Sequence, residues 1–557
     1  MRLPVPNTAA LRALVILIVV AMLAAACGSY DDADEGALGA DDSTDEASGD
    51  AEAPATTTAA VMADAETGDS EDAMEEQGVT ADRAGDAAAP EGGGLFGDAP
   101  AEDDDSDETE NNTFQDYGVR PFVPTDQDPL STFALDVDTA AYSIAQRWLR
   151  DGQVPPADSV RVEEYVNSFD YDYRSPNDGL SVVADAGPSP YDERNVIVRL
   201  GVQAEDVPAA ERPPASLTFV VDTSGSMERQ DRLSLVKTSL QRLVTELDDD
   251  DTVAIVTYSD GADVILAPTP VADAGLILDA IDNLRTDGST NLEAGLQQGY
   301  DLANESFRDG GINRVILASD GVANVGLTDP DGLVGLIRGD ADRGIQLVTV
   351  GVGMGNFNDV TMEQLANDGD GFYAYVNDEA EADRLFSDDL ISTLLTVAID
   401  GKVQVEFDPT TVEQYRLIGF ENRAVLDDDF RNDSVDAGEL GAGHQVTALY
   451  ELTLQSGVGS ADRLGTAQLR WEDPDSGDVI ETRLELSGAI LSDTWSETAD
   501  DFKLAVTVAA FAELLRDSPY TGDVGLQQIA EEARSLAQSN GSLNEFADLV
   551  ESVQSIL

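Results

Sequence analysis

Apolar and polar positions are distributed along this chain in three different manners. Between about residues 213 and 395, short and nearly continuous apolar runs ("LTFVVD", "TVAIVTYS", "DVILAP", "RVILASD", "QLVTVGVG") alternate with segments of helical spacing at 231–247, 272–284, 291–304, 331–338 and 360–368. Strands that are apolar on both sides, with amphipathic helices between them, predict a doubly wound α/β domain whose mostly parallel sheet is covered on both faces. After 395 the alternation of element types stops. Runs such as "VQVEFDP", "YRLIGF", "QVTALYELTL" and "TAQLRWEDP" predict antiparallel strands, followed by helices at 523–538 and at both flanks of that segment. Before 213, helical patterns at 139–151 and 160–169 precede two strand-like runs, "LSVVADAG" and "NVIVRLGVQA".

The first hundred residues behave otherwise. Residues 1–27 carry Arg2 and Arg12, then "ALVILIVVAMLAAAC", an apolar run that closes in small residues before the sole cysteine. This is the layout of an export signal whose Cys27 receives a lipid, which predicts an exported chain anchored outward on the bacterial cell membrane. Residues 28–115 are Ala, Asp, Glu, Gly and Thr with almost no large apolar side chains, a composition that predicts a disordered acidic linker. The expected organisation is therefore 1–27 signal, 28–115 linker, 116–205 an N-terminal α+β region, 206–395 the α/β domain, and 396–557 a β-rich and helical C-terminal domain. Because the ends of such an α/β domain lie close together, it is expected to be inserted into a host built from strands on both sides of it.

Charge narrows the partners. The formal net charge is −79 over 557 residues, and the only lysines are Lys237, Lys402 and Lys503. Nucleic acid is excluded as a partner, since phosphate binding needs clustered cations. His444 is the only histidine, which excludes Ser-His-Asp and Cys-His catalysis and any multi-histidine zinc site.

The apolar run "LTFVVD" ends in Asp222, and Ser224 and Ser226 follow in a turn that Gly225 can bend. In an open α/β sheet, sites form beyond the carboxyl ends of the strands. Thr290 in "DGSTNLEAGL" and Asp320 in "RVILASDG" fall on that same edge. Oxygen-only donors at one spot select a hard cation such as Mg²⁺ or Mn²⁺.

With those residues in place, the chain resembles the von Willebrand factor type A domains. Asp222-Thr223-Ser224-Gly225-Ser226, Thr290 and Asp320 match their metal-ion-dependent adhesion site in order and context. The resemblance extends to YfbK-type bacterial von Willebrand A proteins through "LDVDTAAYS", "PPADSVRVEEYVNSF", "GINRVILASDGVANVG" and "FRNDSVDAGELGAGHQVTALYELTL". It implies that Ser224 and Ser226 ligate the metal directly, Thr290 directly or through water, and Asp222 and Asp320 largely through water. The implied ion is Mg²⁺, with Mn²⁺ or Ca²⁺ as alternatives. The implied partner is a protein whose Asp or Glu carboxylate completes the coordination, with no catalysis.

Two other readings compete. "FALDVDT" also resembles the opening of haloacid-dehalogenase-type phosphatases, where Asp136 would be the nucleophile and Asp138 the acid/base with Mg²⁺. No strand-helix series follows it before the von Willebrand A region at about 213, and a structural or capping role for these aspartates is favoured. The third reading is a scaffold without metal.

Overall fold

The computed structural model describes residues 112–556 apart from 136–137, 230–231, 322–324, 354–357, 389–393, 434 and 436. Cys27, the export signal, the acidic linker up to residue 111, and Asp136 lie outside the described residues.

Up to residue 204 the chain forms β1 (Val123–Pro124), β2 (Leu130–Ala134), α1 (Ala140–Arg150), α2 (Val162–Val166), β3 (Leu180–Pro188) and β4 (Asn195–Ala204). The next stretch holds β5 (Ala215–Asp222), α3 (Leu233–Glu246), β6 (Thr252–Tyr258), β7 (Ala262–Pro270), α4 (Ala274–Asp282), α5 (Leu292–Glu305), β8 (Ile312–Ser319), α6 (Pro330–Ala341), β9 (Gln346–Val352), α7 (Asp359–Asn367), β10 (Tyr373–Val376) and α8 (Glu379–Asp383). Its six strands lie in the order β10-β9-β8-β5-β6-β7, parallel except for the edge strand β7. Every residue of β5 and β8 is buried, as the continuous apolar runs require of central strands. Helices α3, α4 and α8 cover one face; α5, α6 and α7 cover the other.

The last stretch adds β11 (Thr396–Phe407), β12 (Val412–Ile418), β13 (Leu440–Gly441), β14 (Gln445–Leu454), β15 (Arg463–Glu472) and β16 (Val479–Ser487), then α9 (Asp500–Leu515), α10 (Leu526–Ser539) and α11 (Asn544–Ile556). One sheet has the order β1-β12-β14-β4-β3; in the other, β13-β11-β15-β16, strand β2 pairs with β11. Residues 116–205 and 396–557 are therefore not two bodies. Both sheets take strands from both flanks, Leu200 of β4 standing opposite Ala448 of β14. Their apolar faces share one core in which Leu200 and Ala448 meet Val403 and Leu469. The α/β domain is inserted into this host sandwich.

Helix α1 welds host to insert. Ala141, Ala145 and Leu149 pack among the host helices α2, α9, α10 and α11, while Ala140, Ile144 and Trp148 pack into the core of the inserted domain. The strand-start edge of the insert is tied in as well: the guanidinium of Arg314, in β8, donates to the Leu394 carbonyl at 3.1 and 3.2 Å. The carboxyl ends of β5, β6, β8 and β9 lie at the opposite edge.

Candidate metal centre

At the end of β5 the Asp222 carboxylate is fully buried. Its Oδ1 accepts the backbone N–H of Ser224 at 2.8 Å, and its Oδ2 accepts the hydroxyl of Ser319 at 3.0 Å. The Asp222 side chain is thus fixed by its own turn and by the end of β8. The Oγ atoms of Ser224 and Ser226 lie 2.9 Å apart. Ser224 is buried and Ser226 exposed, so the pair leads from the interior to solvent.

The loop before α5 is stitched to this turn, and two others reach it through that loop. Gly225 N–H donates to the Gly288 carbonyl at 3.1 Å, and Asp287 N–H donates to the Thr223 carbonyl at 2.6 Å. Gly288 has φ +75°, and a Cβ there would meet the Asp260 carboxylate at 3.0 Å, so glycine is required where this loop folds over the β6–β7 turn. The loop carries Thr290, which is buried, and its carbonyl accepts Val325 N–H at 3.2 Å. Asn291 then caps α5, its side chain accepting Ala294 N–H at 3.1 Å. Asp320 follows β8, buried, and its carboxylate pairs with the guanidinium of Arg232.

Burial first, and the Asp320 carboxylate second, push Asp222 up to about 6. The Tyr258 hydroxyl, buried beside Asp222, is pushed well above its ordinary value by the same desolvation and by the Asp222 charge. An acid held in this way favours a cation over a second anion. The donors around it are hydroxyl and carboxylate oxygens, the set a hard divalent ion takes. Asp222, Ser224, Ser226, Thr290 and Asp320 thus lie in loops that hydrogen-bond to one another or follow adjacent strands. Sequence reading missed Ser319 and Arg232. The first directly precedes Asp320 and is legible as a hydroxyl at a strand end; the second reads as one more polar residue at a helix start.

A second group of acids lies where host and insert meet. Single carboxylate oxygens of Asp138, Glu164 and Glu363 come within 4.8 Å of one another, all buried. Here guanidinium groups balance the acids. Arg423 reaches Asp138 at 2.5 Å and Glu363 at 2.9 Å, and Arg161 reaches Asp359 at 2.6 Å and also pairs with Glu164. Asp138 Oδ1 accepts Tyr373 N–H at 2.9 Å, and Glu164 Oε2 accepts Ala141 N–H at 2.7 Å. Burial pushes Glu164 up to about 7; Glu363 stays below its ordinary value, its burial outweighed by Arg161 and Arg423. Asp138 is engaged on both oxygens, which suits a structural role and leaves the phosphatase reading without its acid/base. His444 sits in the turn before β14, its carbonyl accepting Ala204 N–H at 2.9 Å.

Comparison with known proteins gives three family matches: von Willebrand factor type A domain over residues 216–388, the C-terminal region of uncharacterized protein YfbK over 392–556, and von Willebrand factor over 108–199. Uncharacterized protein YfbK of Escherichia coli is 36% identical over 467 residues, covering 79% of this chain and 80% of that protein. An uncharacterized protein of Synechocystis is 25% identical over 299 residues, 53% of this chain and 69% of its own. Among solved structures, a von Willebrand factor type A protein from Catenulispora acidiphila aligns with TM-score 0.40 at 15% identity, covering 67% of this chain and 89% of that one. An ArnB paralog from Sulfolobus acidocaldarius aligns with TM-score 0.33 at 15% identity, covering 68% and 98%.

Proposed function

The chain belongs to the YfbK family of von Willebrand A proteins, and from that premise we propose that the carboxyl edge of its parallel sheet binds a divalent cation and, through it, a carboxylate of a protein partner. Von Willebrand A domains are protein-interaction modules. In this reading Ser224, Ser226, Thr290, Asp222 and Asp320 would hold Mg²⁺ through their oxygens, the hydroxyls nearest to it. Such an ion supplies an electrophilic position that an Asp or Glu side chain can fill. The protein residues do the rest: Ser319 and the Ser224 N–H orient Asp222, and the loop hydrogen bonds hold Thr290 over the same turn.

The observation that carries the proposal is the buried Asp222 carboxylate, met by the Ser319 hydroxyl and the Ser224 N–H, beside two serine hydroxyls that lead to solvent. The proposed act is recognition without turnover. We extend it to location: a lipid on Cys27 anchors the chain to the outward face of the bacterial membrane. Calorimetric titration of Mg²⁺ and Mn²⁺ into the full chain and its Asp222→Ala variant tests the site. One ion per chain, lost in the variant, is expected; unchanged binding in the variant would sink the assignment.

A further inference from the structure

The ligand pattern has no place for Arg232, yet its side chain is buried in the site, 3% exposed. It stands at the start of α3, pairs with the Asp320 carboxylate, and donates from Nη1 to the Ser226 carbonyl at 3.2 Å. A slot is kept open for it. Gly353, just past β9, has φ +75°, and a Cβ there would come within 2.3 Å of Arg232 Nε and 2.8 Å of its Cδ and Cγ. Four segments thus converge on one guanidinium: the 222–226 turn, the start of α3, the end of β8 and the end of β9.

Arginine keeps its proton in a protein, so this positive charge is permanent. With both acids ionised, the charged groups that meet here among the described residues, Asp222, Asp320 and Arg232, leave one negative charge. A divalent ion turns the set to one positive, and only an anionic ligand returns it to neutrality. Net charge in a buried place is costly, so the neutral combination is favoured over the bare ion.

We infer that Arg232 is a tethered cation that weakens the site for metal alone and so makes metal and carboxylate bind together. The inference rests on the metal reading above. It deepens that reading by making the occupied site depend on its ligand. By linkage, whatever factor the carboxylate adds to metal affinity, the metal adds to carboxylate affinity.

The test is calorimetric titration of Mn²⁺ into the full chain, in chloride and in acetate at equal ionic strength, for wild type, Arg232→Gln and Arg232→Lys. Far-UV circular dichroism checks that each is folded. Wild type is expected to bind Mn²⁺ more tightly in acetate than in chloride. Arg232→Gln is expected to bind at least about tenfold more tightly than wild type in chloride, since the like charge held on the Asp320 carboxylate is gone, and to lose most of the acetate effect. Arg232→Lys keeps the charge and should stay near wild type. If wild type binds Mn²⁺ but Arg232→Gln binds no tighter, or if Arg232→Lys binds as tightly as an uncharged variant should, the inference fails and the metal reading stands. If no form binds Mn²⁺ in either salt, the metal reading falls and takes the inference with it.

Discussion

Asp138 and Asp222 both follow apolar runs, and both are all but fully buried. Around Asp138 the protein sets the Arg423 guanidinium and a backbone N–H, and the neighbouring acids share Arg161 and Arg423. Around Asp222 it sets the Ser319 hydroxyl and the Ser224 N–H, and among the described residues the nearby guanidinium of Arg232 pairs with Asp320. A buried carboxylate clamped by arginine is a joint between structural parts. One met by a hydroxyl and a backbone N–H, beside serine hydroxyls that lead to solvent, has no such clamp among the described residues.

The contrast can be broken most forcefully at the joint. Arg423→Ala strands the buried carboxylates of Asp138 and Glu363 and is expected to cost about 3–5 kcal/mol in urea denaturation. Asp222→Asn removes a charge that no guanidinium clamps among the described residues and is expected to leave metal-free stability unchanged or raised; an equal loss in both variants would erase the distinction. Next in size is the response to metal. At about a hundred times the dissociation constant, Mg²⁺ should stabilise wild type by about 2.7 kcal/mol. The Arg423→Ala variant should keep that increment and Asp222→Ala should lack it, as read from paired denaturation curves with and without the ion.

The pH dependence sharpens the contrast on the side of the joint. Glu164 faces Arg161, Glu363 and Asp359, and its folded value of about 7 lies above the ordinary 4.5. The folded state holds that proton more tightly than the unfolded chain does. Stability from this group is therefore fully present below the ordinary carboxylate value, declines as pH rises toward 7, and is level above it. Glu164→Gln is expected to flatten that decline relative to wild type in denaturation midpoints measured across pH 4.5 to 7.5. The smallest effect belongs to the loop that bears Thr290. Asn291→Ala removes the cap of α5 and should cost about 1 kcal/mol, with weaker Mn²⁺ binding as the accompanying sign that Thr290 has lost its seat.

Much of the α/β domain was legible because its information is local. β5 and β8 are apolar on both sides, and an acid at a strand end followed by small hydroxyl residues reads directly as a site loop. The host was only half legible. Alternation marks "NVIVRLGVQA" as a strand, but nothing in it names "QVTALYELTL" as its neighbour, since pairing is settled by burial across the whole sandwich. Helix α1 shows a different limit. Periodicity gives it one apolar face, whereas the structure buries two, because small alanines pack on either side between host and insert. Arg232 was illegible for a third reason: its counter-ion lies on another strand, and its slot is a glycine beyond a third.

The insertion also governs how the chain can be completed as it is made. When β3 and β4 have emerged, the edge of β4 has no neighbour, for its partner β14 is made only after the whole inserted domain. Were the intervening chain a loose coil, joining Leu200 to Ala448 would mean closing a very long loop. A contiguous domain that folded before β14 was made would shorten that closure by drawing its two ends together, bracketing the sheet that carries it.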